Sequence, residues 1–147
     1  MKGKEVISLA EGVEKIRAAS EARRDPDFVI KSRTDTLATH GIGEVVKRLN
    51  AYAEAGADLL FADAVLSVED ITTVVKNVAK PVCVNMGFGI RRRSTTPLLS
   101  ARQMQDLGVS VAIFPRLLTS CAIQGMKNGM AAFQKSLDTG EVIERPD

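Results

Sequence analysis

The sequence is poor in the residues from which many sites are built. It has two cysteines, Cys83 and Cys121, and one histidine, His40, in 147 residues. The cysteines are far apart and sit within apolar stretches, whereas a disulfide framework or a zinc site needs more ligands at tighter spacing. They read as small buried thiols in a reducing, cytoplasmic setting. His40 stands just before Gly41, with no serine–histidine–acid arrangement and no paired acid beside it, so it reads as a loop residue and not a catalyst. A strong charge of one sign is also lacking. The net charge of +2 gives no electrostatic case for nucleic acid or an anionic membrane as partner. The one dense basic run, Arg91-Arg92-Arg93, has no aromatic residues interleaved for base stacking. No apolar run approaches the roughly 20 residues of a membrane-spanning helix, and the first nine residues lack the apolar stretch of a signal peptide.

What is there is an alternation of strands and helices, in a length that suits one domain over residues 1–147. Glu11 to Arg24 has helical periodicity and is stopped at Pro26. Phe28-Val29-Ile30 is a short apolar run and the first strand candidate. Gly41-Ile42-Gly43 punctuates, and Glu44 to Ala55 is helical with Val45, Val46, Leu49 and Tyr52 on one face, closed by Gly56. Ala57 to Ala64 is the second strand. Ser67 caps a helix to about Ala79, with Asp70 in the capping-box position. Val82 to Asn85 is the third strand. The loop from Met86 to Pro97 carries Gly87-Phe88-Gly89, the arginine triplet and Ser94-Thr95-Thr96. Ser100 caps a helix ending at Gly108, Val109 to Phe114 is the fourth strand, and Leu117 to Leu137 is a long last helix. The strands recur every ~25–30 residues, the size of one βα unit. Unbroken apolar strands suit a parallel sheet covered on both faces. Two α/β architectures fit four such units: a small doubly wound sheet, or half of a (β/α)₈ barrel, since a whole barrel takes about 200–250 residues.

In both, ligands bind at the C-terminal ends of the strands. The first strand ends in Ser32-Arg33-Thr34-Asp35, the second at Asp63, the third at Asn85 and the fourth at Pro115-Arg116. Arg33 offers a planar fork of donors that can grip a carboxylate in two places. Asn85 and Thr96 can donate to a substrate oxygen. Asp63 is a hard oxygen ligand suited to Mg²⁺, directly or through water. Each also has a plain structural reading: Arg33 pairs with Asp35, Asp63 caps a loop, and Asn85 is a turn residue. Gly87-Phe88-Gly89 is too short for a phosphate-binding fingerprint.

At these residues the chain resembles a known family. Ser32-Arg33-Thr34-Asp35-Thr36, then Ala51 to Asp58 (AYAEAGAD), Phe61-Ala62-Asp63, Pro81 to Met86, Thr96 to Ser100, Leu107-Gly108-Val109 and Phe114-Pro115 are similar, in order, to the isocitrate lyase and phosphoenolpyruvate mutase family. The resemblance implies the C-terminal half of a (β/α)₈ (TIM) barrel, Mg²⁺ dependence, small 2-hydroxy or 2-oxo dicarboxylates as substrates, an enolate-like intermediate and an oligomeric state. It implies carbon–carbon lyase or phosphorylmutase-like chemistry. Carried over by motif, Arg33 is the catalytic and substrate-binding arginine, Asn85 and Thr96 bind a substrate carboxylate, and Asp63 falls where many members hold a glutamate near the metal. The family's aspartate-rich metal motif and its mobile acid loop have no counterpart in these residues, and Gly3 to Ser8 resembles the stretch just after that loop. The expectation is therefore a truncated enzyme, inactive or weak alone. The alternative is a non-catalytic subunit that binds small carboxylates or joins a chain carrying the missing half.

Overall fold

Ser8, not Glu11, opens the first helix. Its hydroxyl accepts from the Glu11 backbone N–H at 3.1 Å, which starts α1 at Leu9–Ala22, two residues ahead of the predicted boundary. The structure, a computed structural model, describes residues 5–87 and 96–143. These fall into two compact units, one of residues 5–86 with 96–113 and one of Gly87 with 114–143. The arginine triplet, Phe88-Gly89 and Ser94-Thr95 lie outside the described residues.

The first unit holds a sheet of four strands: β1 (Lys31–Thr34), β2 (Leu59–Ala62), β3 (Val82–Asn85) and β4 (Val111–Ile113). All neighbours are parallel, in the order β1-β2-β3-β4. The apolar run Phe28-Val29-Ile30, expected to open the first strand, is not in it, whereas Ser32-Arg33-Thr34, expected at its end, is. Phe28 and Val29 are 66% and 59% exposed, and the ladder with β2 begins at Lys31, opposite Leu59. The strand that forms is polar because it lies at the sheet edge and is not sandwiched on both faces. Ser32 and Thr34 are buried, whereas Lys31 and Arg33 alternate outward.

Between the strands come α2 (Leu37–Glu54), α3 (Val68–Asn77) and α4 (Ala101–Asp106). The predicted punctuation at Gly41 is a break within α2, where φ is 78° and ψ is 177°. Beyond it the periodicity holds, with Val45, Leu49, Tyr52 and Ala53 buried. Gly56 closes α2 as predicted, at φ 108°, and Ala57 N–H reaches back to the Tyr52 carbonyl at 3.0 Å. Ser67 caps α3 by accepting from Asp70 N–H, and Ser100 with Gln103 forms a full capping box on α4. Helices α1 and α2 approach closely: a Cβ on Gly12 would collide with the Tyr52 hydroxyl.

The sheet order decides between the two candidate architectures. A doubly wound sheet reverses its strand order at a switch point; this one never reverses. Crossovers of one hand running in one direction stack every helix on the same face. The core agrees. Val45 and Leu49 of α2, Ile71 and Val74 of α3 and Met104 of α4 pack with Leu60, Ala62, Val82 and Val84, the residues of β2 and β3 that point to one side. These are four βα units of the barrel kind.

The second unit is dominated by α5 (Leu117–Thr139), closed by Gly140 in the left-handed region at φ 72°. None of its residues is buried. Ile123, Met126, Met130, Phe133 and Leu137 form an exposed apolar stripe at alternating steps of three and four. Among the described residues, no helix is long and apolar enough to cross a membrane.

Candidate functional site

The face of the sheet away from the helical core carries the polar strand-end residues. Register places Arg33 beside Phe61, Phe61 beside Cys83, and Cys83 beside Val111. One step nearer the C-terminal ends, Asn85 lies beside Ile113. Asp63 follows β2 at that level, its N–H donating to the Thr34 carbonyl at 3.0 Å. Arg33, Asp63 and Asn85 thus share one end and one face of the sheet, as their positions in the sequence implied.

The arginine and two carboxylates are in direct contact. Arg33 Nε donates to Asp35 Oδ1 at 2.6 Å and Nη2 donates to Asp35 Oδ2 at 2.9 Å. Nη2 also lies 2.9 Å from Asp63 Oδ2. The guanidinium carbon is 5.4 Å from the Phe61 ring centroid, and Lys31 Nζ lies at the same distance from that ring. The hydrogen bonding to Asp35 is the largest influence on the guanidinium and raises its proton affinity above the ordinary arginine value. Partial burial opposes it, and the Asp63 charge adds to it. The sequence allowed Arg33 either to pair with Asp35 or to face a ligand. The pairing is made, and it occupies the Nε–Nη2 edge that a bidentate carboxylate would use.

The other expected residues are placed less closely. Asn85 is half-buried at the end of β3, and its carboxamide has no hydrogen-bond partner among the described residues. Thr96 is half-buried in the loop before α4, and among the described residues nothing ties it to Arg33. Arg116 caps α5 in the second unit. His40 lies in the first turn of α2, its Nδ1 2.7 Å from the Thr39 hydroxyl. Cys83 is buried and free, and burial pushes its thiol up, with Lys31 opposing. Cys121 is free but exposed, against the expectation of a buried thiol, because α5 buries none of its residues.

For a metal, the fit is poor. Among the described residues no three His, Cys, Asp or Glu side chains gather into a group able to hold an ion. Asp63, the expected metal neighbour, has Oδ2 engaged by Arg33. Residues missed by the sequence reading are Lys31 and Phe61. Their signal was the alternation of cations in β1 opposite an aromatic of β2, visible only once the register is known.

Comparison with known proteins gives a consistent picture. A family model described as phosphoenolpyruvate phosphomutase matches residues 1–134. The chain is 34% identical to 2,3-dimethylmalate lyase of Eubacterium barkeri over 98% of its own length and 48% of the relative's. A crystal structure of 2,3-dimethylmalate lyase, a PEP mutase/isocitrate lyase superfamily member, matches with a TM-score of 0.81 at 32% identity, over 99% of this chain and 50% of that one. The chain is 37% identical to 2-methylisocitrate lyase of Escherichia coli K12 over 76% of its length and 36% of the relative's. Oxaloacetate acetylhydrolase in complex with the inhibitor 3,3-difluorooxalacetate matches with a TM-score of 0.83 at 28% identity, covering 100% of this chain and 48% of that one. The chain therefore spans about half the length of the first relatives it matches, or less.

Proposed function

Because the chain belongs to the phosphoenolpyruvate mutase and isocitrate lyase family, we propose that its strand-end cluster is the carboxylate-binding rim of a carbon–carbon lyase. The substrate class is a small 2-hydroxy or 2-oxo dicarboxylate, and the intermediate is enolate-like. The observation that carries this reading is Arg33, held at the C-terminal end of β1 by Asp35 and Asp63. Similarity to lyases acting on dimethylmalate and methylisocitrate supports the substrate class. A guanidinium placed beforehand at the point where negative charge develops stabilises that charge without reorganisation. Asn85, and Thr96 from the following loop, are the proposed further donors to substrate oxygen.

The resemblance brings Mg²⁺ with it, but the described residues do not assemble its ligands. The chain's own share of the chemistry is anion binding, so alone it is inactive or weak. The same observation favours a second reading: a subunit whose catalytic partner supplies the rest of the barrel. Self-association, through the apolar stripe of α5, is part of the proposal, as is a cytoplasmic location, which the two free cysteines support.

The test is turnover of 2,3-dimethylmalate by the purified chain with Mg²⁺. The expected result is little or no cleavage by the chain alone, and cleavage after mixing with a polypeptide carrying the other four βα units. Steady cleavage by the chain alone would overturn the division of labour.

A further inference from the structure

We propose that Asp35 is a positioning residue for Arg33: its carboxylate takes the side edge of the guanidinium and leaves Nη1 as the nitrogen that meets an anionic ligand. The proposal rests on the carboxylate-binding reading above and deepens it.

A guanidinium has five N–H donors in a rigid plane. Asp35 takes one from Nε, at 2.6 Å, and one from Nη2, at 2.9 Å, as a parallel pair. Nη2 also lies 2.9 Å from Asp63 Oδ2, as an ion pair. The two hydrogens of Nη1 have no partner among the described residues. Phe61, with its centroid 5.4 Å from the guanidinium carbon, backs the group. The plane and its rotation are thus set by three side chains before any ligand arrives.

The carboxylate that does this is itself held by backbone geometry. Asp35 lies between Thr34 and Thr36, whose hydroxyls hydrogen-bond to each other at 2.9 Å. The Thr34 carbonyl accepts from Asp63 N–H, and the Thr36 carbonyl accepts from Thr39 and His40 N–H at 3.1 and 2.8 Å. The residue after Asp63, Ala64, sits at φ 57°, a left-handed conformation uncommon outside glycine that is retained where the surroundings enforce it. Both acids therefore stand on fixed backbone at the ends of adjacent strands. A long, half-exposed arginine side chain would otherwise sample many rotamers, and ordering it at binding would cost affinity.

The consequence differs from the bidentate grip expected of Arg33. With its side edge engaged internally, the guanidinium meets a ligand carboxylate through Nη1, and further contacts must come from elsewhere on the rim, such as Asn85. Losing Asp35 would leave the positive charge in place and free its direction.

The experiment is ¹H–¹⁵N NMR of the arginine Nε–Hε region in the full chain, with Arg33→Lys used for assignment, followed by titration with oxalate. The wild type is expected to show a slowly exchanging Arg33 Nε–Hε signal. Asp35→Asn, checked for an unchanged amide spectrum elsewhere, loses it, and Asp35→Glu retains it. Oxalate binding weakens about tenfold in Asp35→Asn, the size of one charge-assisted hydrogen bond. A signal missing from the wild type, or persisting unchanged in Asp35→Asn, overturns the positioning role whatever the affinity. If the signal behaves as expected and the wild type binds no oxalate, Asp35 still positions Arg33 and the carboxylate-binding reading is what fails.

Discussion

Arg33 is exposed over half its side chain and yet has little freedom, because its two carboxylate partners come from fixed backbone on either side of it. Arg33, Asp63 and Asn85 could be found from sequence because ligands gather at the C-terminal ends of parallel strands. Their contacts could not. The ion pair between Arg33 and Asp63 depends on the offset between β1 and β2, and a slip of one residue would turn one of them to the helical face. The cysteines show the same limit. Both lie in apolar sequence, yet Cys83 is buried in the sheet and Cys121 is exposed on a helix. Burial disfavours the Cys83 thiolate, and the thiolate is the reactive form. Iodoacetamide at neutral pH is therefore expected to label Cys121 first, with Cys83 labelled only under unfolding conditions, as peptide mass spectrometry would show. Equal labelling of the two in the folded chain would contradict the burial of Cys83.

At the scale of elements, the helices were more legible than the strands. Ser67, Ser100 and Gly56 act locally, so a cap can be recognised without knowing what the helix packs against. The error at the first strand has the opposite cause. An apolar run marks a strand buried on both faces, whereas β1 is an edge strand with hydroxyls inward and cations outward. What joins α1, β1 and β2 is Asp58, whose Oδ2 accepts from Ile30 N–H at 2.9 Å and from Arg23 Nη1 at 2.7 Å. These contacts, the backbone one foremost, hold its carboxyl below the usual aspartate range. A lowered folded value means the stabilisation is complete above the ordinary value of about 3.9 and is lost as pH falls through the folded value. Asp58→Asn should cost about 1 kcal/mol at neutral pH, a modest figure because the pair is partly exposed. In urea unfolding the two proteins should converge in stability below the folded value. A constant difference down to strongly acid pH would show that Asp58 acts through something other than its charge.

For the whole molecule, the sheet that never reverses its strand order and the half-length match to the lyases point the same way. The chain is a set of barrel βα units, and the proposed anion-binding rim stands on their C-terminal ends. The exposed residues Met126, Met130 and Phe133 of α5 lie on one stripe, and a contiguous exposed apolar patch marks an interaction surface. Sedimentation should therefore depend on concentration, and Met130→Lys with Phe133→Lys should shift the chain toward the monomer. Concentration-independent sedimentation as a monomer would remove self-association from the account. The anion-binding rim is tested most directly by titrating the full chain with oxalate while following the Asn85 side-chain amide and the Arg33 Nε–Hε signals by NMR. The account predicts saturable shifts at both groups in the wild type and no saturable shift of the Asn85 amide in Arg33→Ala. A saturable Asn85 shift that survives Arg33→Ala, or no shift at either group in the wild type, would contradict it.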